Sequence, residues 1–153
     1  MMAKRKRDSS RTPPAVPVAL SIRQPWATLV VYGIKTIEIR TWSTKRTGLI
    51  YIHAGREADR RDDAWRFLPK ELLEFTERRG GIVGQARLRE CLAYQDIDVF
   101  SQDVKKHFNR PDWFKPPRLY GLVFEEAAPH DFVPCKGELY FFPVATNIKT
   151  GRD

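Results

Sequence analysis

The sequence is poor in cysteine: Cys91 and Cys135 are the only two in 153 residues. Two thiols do not make a disulfide framework, so we expect a cytosolic compartment and buried thiols. The sequence also lacks any apolar run near the ~18 residues that cross a bilayer. Its charged N-terminus is not followed by an apolar segment. We therefore expect neither a membrane span nor a secretory signal.

Motifs for metals and nucleotide cofactors are absent as well. No C-x-x-C or H-x-x-x-H pair is present to fill a tetrahedral metal shell, and His130 and Cys135 alone do not suffice. The glycine-rich strings of dinucleotide and NTP sites and the G-x-S-x-G elbow are missing too. We expect no metal and no cofactor.

Positive charge is concentrated at one end of the chain. The net charge is +8 overall, with +4 in residues 1–18, +5 in residues 19–56 and −1 in the remainder. This asymmetry favours a polyanionic partner, with nucleic acid first and an acidic membrane surface far behind. Residues 1–17 are predicted to be a disordered basic tail. The Lys-Arg-Lys-Arg run at 4–7 is either a phosphate-binding arm or nuclear import signal, or a solvated tail.

Residues 19–57 hold the densest pattern. A strand is predicted over 18–22, followed by a short helix that begins at Pro25, with Gln24 at its cap, and ends at Gly33. Residues 35–42 alternate as a strand, with Ile37 and Ile39 on the core face and the polar residues on the other. Lys35 shares the parity of the isoleucines, but its long stem is expected to swing outward at the strand's first residue. Another strand is predicted over 49–54.

The rest of the chain is read as scaffold. Residues 59–79 are predicted to be helical, with Asp59 as a cap and Pro69 starting a second helix. Further strands are predicted over 82–94, 119–126 and 137–144, and a helical turn over 104–108. About six strands with few helices indicate an α+β fold built on a small barrel or strongly curved sheet.

Five strings together resemble the ASCH domain family: LSIRQPWA (20–27), GIKTIEIR (33–40), LIYIHAG (49–55), LYGLVFEE (119–126) and KGELYFFPV (136–144). The resemblance covers about residues 17–144. It implies a PUA-like curved β-barrel with flanking short helices, an ASCH domain over 18–146 and a polar C-terminal end over 147–153.

The resemblance also implies a basic cleft around Lys35, Glu38 and Arg40. In some relatives such a cleft only holds nucleic acid; others are ribonucleases or small amidohydrolases acting on acylated cytidine. The amidohydrolase string reads K-T-x-T-x-R, with the second Thr as nucleophile. Glu38 occupies that position here, which argues against a Thr nucleophile.

The charged residues of the 35–40 string have two interpretations. In the first, Glu38 and Arg40 form a salt bridge on one strand face. In the second, Glu38 positions two cations that meet a phosphate or a base edge. If the site is catalytic, Lys35 and Glu38 form an acid–base pair and Arg40 steadies a developing charge.

The surroundings of the tryptophans and histidines predict their roles. Trp26 is expected to be a core residue near the cleft and Trp42 to stack on a base, whereas His107 and His130 are expected to face solvent. The predicted nucleic-acid-binding set is Arg23, Trp26, Lys35, Arg40, Trp42, Lys45, Arg46, His53 and Arg56.

These observations predict an RNA-binding protein that prefers single-stranded or looped RNA. The alternative is a small hydrolase that uses the same cleft, as a ribonuclease or a nucleoside amidohydrolase. A third possibility is a protein-interaction module whose basic face meets an acidic partner. The expected location is cytoplasmic, or nuclear in a eukaryote.

Overall fold

The computed structural model describes residues 16–144. In this range lie six strands: β1 (Val18–Ile22), β2 (Ile37–Arg40), β3 (Gly48–Ala54), β4 (Gly81–Tyr94), β5 (Leu119–Pro134) and β6 (Phe141–Pro143). The same range has four short α-helices: α1 (Trp26–Val31), α2 (Asp62–Trp65), α3 (Ile97–Gln102) and α4 (Val104–His107). Single 3-10 turns occur at Lys70–Leu72, Glu74–Glu77 and Pro111–Trp113. The predicted α+β class is confirmed.

All six strands belong to one sheet with the order β2-β5-β4-β3-β1-β6. β1 and β3 run parallel, and the other neighbouring pairs are antiparallel. Strands β2 and β6 lie at opposite ends of this order, and within residues 16–144 no pairing between them closes the sheet. The predicted barrel closure is therefore not confirmed. None of the helices in the described range has the length and apolar character needed to cross a membrane.

Helix α1 packs its whole length into the core. All six of its residues are buried, and Leu29 lies in one cluster with Leu20 of β1 and Ile52 of β3. The Gln24 side chain accepts hydrogen bonds from the Thr28 backbone N–H (3.0 Å) and hydroxyl (2.8 Å), which fixes the first turn. Gly33 follows the helix with φ +74°, a left-handed conformation that glycine adopts without a steric penalty. The chain then reverses into β2.

Residues 59–79 are only partly helical, although a helix is predicted over the whole segment. One turn of α-helix, Asp62–Trp65, is followed by the first two 3-10 turns. Pro69 is extended (φ −60°, ψ 142°) and interrupts the pattern. The Asp59 carboxylate does not cap a long helix, because it binds Trp26 and Arg61 instead.

Strand β5 is longer than predicted, since it continues through Pro129 to Pro134. Only Tyr120–Val123 pair with β2, so the later part of β5 has β4 as its one sheet neighbour in the described residues. A proline there removes no ladder hydrogen bond on the open side. The predicted tail (1–17) and polar end (147–153) lie almost wholly outside the described residues.

Candidate functional site

A polar cleft of about 930 Å³ lies where β1 and β2 meet the loop after β3 and the segment before β6. Its floor is formed by a charged cluster of Lys35, Glu38 and Arg40. The lining also includes the predicted residues Arg23, Trp26, Trp42 and Arg56. Residues from four separate parts of the sequence therefore meet in one depression.

Glu38 is the centre of the charged cluster. Its carboxylate accepts hydrogen bonds from Arg40 Nη2 (2.9 Å) and Nε (3.2 Å), and lies 3.5 Å from Lys35 Nζ. Arg40 Nη2 also donates to the Ser21 carbonyl at 2.9 Å, which ties β2 to β1 across the cleft. The predicted salt bridge is thus present, and one carboxylate balances two cations. The cluster has a net positive charge.

Lys35 is buried, contrary to the expectation that it swings outward. It is 2% exposed, and Nζ donates to the His107 carbonyl at 2.6 Å and lies 4.8 Å from the Trp26 ring centre. Burial lowers the pKa of Lys35 to about 8, against the opposing effect of Glu38. A lysine in this state can exchange a proton near neutral pH.

His107 and His130 are both buried, so the expectation that they face solvent is wrong. His107 lies in α4, where Nε2 donates to the Phe100 carbonyl at 2.7 Å. Burial lowers the pKa of His107, and the ring stacks on Phe100 at 4.3 Å. The backbone of His107 thereby presents a fixed carbonyl to Lys35.

Asp59 organises the far wall of the cleft. Its carboxylate accepts from Trp26 Nε1 at 2.8 Å and from Arg61 Nη2 at 2.6 Å, and its carbonyl accepts from Trp65 Nε1 at 2.6 Å. Burial raises the pKa of Asp59, but the hydrogen bonds from Arg61 and Trp26 outweigh this effect and hold it at about 2. Trp26 is therefore fixed in orientation under Lys35. This packing agrees with its prediction as a core residue near the cleft.

Three arginines at the cleft have no ion pair within residues 16–144: Arg23, Arg56 and Arg60. All three are exposed. Arg40 and Arg61, in contrast, are bound to carboxylates. Within the described residues, these three guanidinium groups are consequently available to meet an anionic ligand.

Aromatic side chains border the cleft on the β6 side. The Trp42 ring contacts Tyr140 edge-on at 5.1 Å and Phe141 at 5.5 Å. Trp42 is half-buried by these contacts, whereas Tyr140 is 56% exposed. Tyr140 therefore offers more free ring surface than Trp42, the residue predicted to stack.

A second cavity of about 830 Å³ adjoins the cleft and shares with it Ser21, Gly55, Arg56, Glu138 and Leu139. His53 lies in this second cavity and not in the cleft. Its Nδ1 is 3.0 Å from Ser21 Oγ, and its Nε2 is 2.8 Å from the Cys135 carbonyl. Burial lowers the pKa of His53, so the ring is neutral at neutral pH.

The structure brings most of the predicted site residues together and leaves three apart. Lys45 and Arg46 do not line the cleft, and the Arg46 guanidinium lies over the Phe141 ring at 5.4 Å. His53 belongs to the second cavity. Sequence reasoning missed Ser21, Arg60 and Tyr140, and gave Asp59 only a capping role. Ser21 could not have been found from the sequence, because its contact with His53 depends on the parallel pairing of β1 with β3.

Fold and cleft together define a small α+β domain in which one mixed sheet holds a buried Lys-Glu-Arg cluster at the floor of a polar cleft. A family model described as the ASCH domain matches residues 20–130, and the chain belongs to this family. The predicted family is confirmed.

Two curated relatives carry the same name. Human activating signal cointegrator 1 is 30% identical over 142 residues, which cover 86% of this chain and 23% of that protein. The mouse protein of that name is 30% identical over 95 residues, covering 57% of this chain and 16% of its own length. The chain thus spans less than a quarter of the curated relatives it matches.

Solved ASCH structures from Zymomonas mobilis resemble the fold. The ASCH protein has a TM-score of 0.61 at 14% identity, with 85% of this chain and 88% of that chain covered. Its S128A mutant has the same TM-score and identity, covering 88% and 92%. At this identity the likeness concerns the fold alone.

Proposed function

We propose that the chain binds RNA in the cleft and prefers single-stranded or looped segments. The observation that supports this most strongly is the set of three exposed arginines, Arg23, Arg56 and Arg60, which have no ion pair within residues 16–144. A guanidinium group contacts phosphate oxygens through paired N–H donors. Around the net-positive floor cluster, these groups provide a path for a phosphate backbone.

The cleft's aromatic border favours unpaired bases. Tyr140 and Trp42 meet edge to face beside the charged floor, and Tyr140 keeps an exposed ring surface. A base stacked on such a ring contributes ~1–3 kcal/mol, and only a base outside a duplex can reach it. A single strand with its phosphates on the arginines and a base on Tyr140 uses both features.

The test is a triple variant, Arg23→Gln, Arg56→Gln and Arg60→Gln, in salt-dependent binding to single-stranded RNA. We expect at least about tenfold weaker binding at low salt and a log–log salt slope shallower by about 2, because three phosphate contacts are lost. Fluorescence anisotropy across a salt series measures both quantities.

Arg118→Gln provides the matched control, since Arg118 is exposed and lies outside the cleft and the second cavity. It removes one positive charge without changing the lining of either depression and should leave affinity within about twofold, because a surface charge that contacts no phosphate acts only through a screened interaction. Equal binding by the wild type and the triple variant, with no dependence on salt, contradicts the proposal. In that case an acidic protein partner would be the better explanation of the basic face.

Hydrolysis in the same cleft is the second candidate, and the low pKa of Lys35, about 8, is the observation that favours it. A buried lysine of this pKa, 3.5 Å from a carboxylate, is suited to acid–base catalysis near neutral pH. Glu38 stands where the amidohydrolase string has its Thr nucleophile, so a water molecule activated by this pair is the better nucleophile here.

The hydrolase candidate predicts that Glu38→Gln abolishes most turnover while RNA binding is retained. The measurement is mass spectrometry of products after incubation with RNA or acylated nucleosides, with anisotropy as the binding control. Absence of product from the wild-type protein with both substrate classes rules this candidate out and leaves RNA binding standing.

A further inference from the structure

The boundary between the cleft and the second cavity is formed by Ser21, Gly55, Arg56, Glu138 and Leu139, which line both. Because the two depressions share these residues, a strand bound in the cleft can continue into the second cavity past Ser21 and Arg56. Ser21 Oγ is therefore the polar side-chain atom that such a strand meets at this boundary, which we call the crossing.

The hydrogen bonds of His53 fix what Ser21 can offer. The Cys135 carbonyl can only accept, so His53 Nε2 must carry the proton that makes the 2.8 Å bond. With the ring neutral, Nδ1 is then an acceptor, and the Ser21 hydroxyl proton is committed to it at 3.0 Å. The His53 ring cannot easily turn, since it is 2% exposed and packs edge-on against Phe142 at 5.5 Å. Ser21 Oγ is left as an acceptor only.

The approach to Ser21 Oγ is open on the side of Gly55. A Cβ at Gly55 would lie 3.3 Å from Ser21 Oγ, and its absence leaves the hydroxyl accessible to both depressions. Arg56 is the next residue along the chain, is exposed and has no ion pair within residues 16–144. The crossing therefore combines an acceptor-only oxygen with the exposed cation of Arg56.

We propose that this crossing recognises the ribose of RNA: Ser21 Oγ accepts a hydrogen bond from a 2′-hydroxyl while Arg56 binds the neighbouring phosphate. The inference rests on the proposed binding of a single strand in the cleft and adds the choice of RNA over DNA. A 2′-hydroxyl is a donor on the ribose carbon next to the one that bears the 3′-phosphate, so both groups can be met together. DNA has the phosphate without the donor.

The test uses three single-stranded oligomers of uracil nucleotides that differ only in the sugar: ribose, 2′-deoxyribose and 2′-fluoro-2′-deoxyribose. Uracil has no exocyclic amino group, so a base amino cannot supply the donor. We expect the wild-type protein to bind the ribose oligomer about three- to tenfold more tightly than either of the others, the range of one hydrogen bond. Anisotropy titrations at one low salt concentration measure this ratio without any mutation.

Variants then assign the preference to the hydroxyl. Ser21→Ala should bring ribose binding down to the deoxyribose level and leave deoxyribose binding unchanged, whereas Ser21→Thr, which keeps the hydroxyl, should retain the preference. Equal affinity of the wild type for all three oligomers overturns the ribose inference while RNA binding in the cleft stands. Failure to bind any of the three overturns both.

Discussion

Glu38→Ala is expected to destabilise the fold by about 3 kcal/mol, because it leaves two cations without their shared carboxylate. Lys35 is almost completely buried and Arg40 is half-buried, and both depend on Glu38 for charge balance. Lys35 can lose its proton in response, since its pKa is already about 8. This relief limits the cost and keeps it below that of an isolated buried charge. Urea unfolding followed by circular dichroism measures the difference.

Glu90→Ala serves as the matched control. Glu90 pairs with Arg89 at 3.0 Å, but about half of each side chain is exposed. Removal of an exposed pair costs less than about 1 kcal/mol. The double variant Lys35→Met with Glu38→Gln should be more stable than Glu38→Ala, because it also removes the buried charge. A cost for Glu38→Ala no larger than that for Glu90→Ala would refute the central role of this carboxylate.

Asp59→Ala should cost about 3 kcal/mol, because Trp26 Nε1 and the Arg61 guanidinium both lose their acceptor. The indole N–H of Trp26 is buried, so water does not replace the missing bond. Thermal unfolding measures the loss. The pKa of Asp59 is about 2 in the folded state and ordinarily 3.8, so the contribution of its carboxylate to the free energy of unfolding is complete above pH 3.8. It falls as the pH drops toward 2.

Asp63→Ala is the control in the same segment. The Asp63 carboxylate pairs with Arg66 at 3.1 Å and Arg110 at 3.0 Å, and both arginines are more than half exposed. Screening by water limits this loss to less than about 1 kcal/mol. If the two aspartates cost the same, Asp59 is an ordinary surface carboxylate and not the support of Trp26.

Local patterns predicted the parts of the fold that local interactions determine. The strand over 18–22 follows from an apolar run and agrees with the structure. The predicted left-handed glycine is also present, since Gly33 follows α1 two residues after its last residue, Val31. The prediction of a helix over 59–79 failed because the Asp59 carboxylate accepts from Trp26, 33 residues away, and from Arg61, and does not cap a long helix. Such a partner is invisible in a window of one or two turns.

In the candidate site, too, contacts between residues close in sequence could be predicted and contacts between distant residues could not. The pairing of Glu38 with Arg40 could be predicted because both lie on one strand at a spacing of two. The burial of Lys35 could not, since its partner is the carbonyl of His107, 72 residues further on. The Ser21–His53 contact depends on the register of two parallel strands, which no local pattern specifies. Residues outside the basic 19–56 stretch, such as Tyr140, enter the site only through the sheet order.

The segment before β6 has a consequence for how this domain can be diversified. Glu138 and Leu139 line both depressions, yet Leu139 is 83% exposed and belongs to no core cluster. This stretch is anchored in the sheet at both ends, by the end of β5 before it and by the three residues of β6 after it. The side chains at 138 and 139 can therefore change without repacking the interior, whereas Gly137 cannot, because a Cβ there would lie 2.6 Å from the buried His53 ring. These two positions are where a different ligand preference can be introduced while the scaffold stays unchanged.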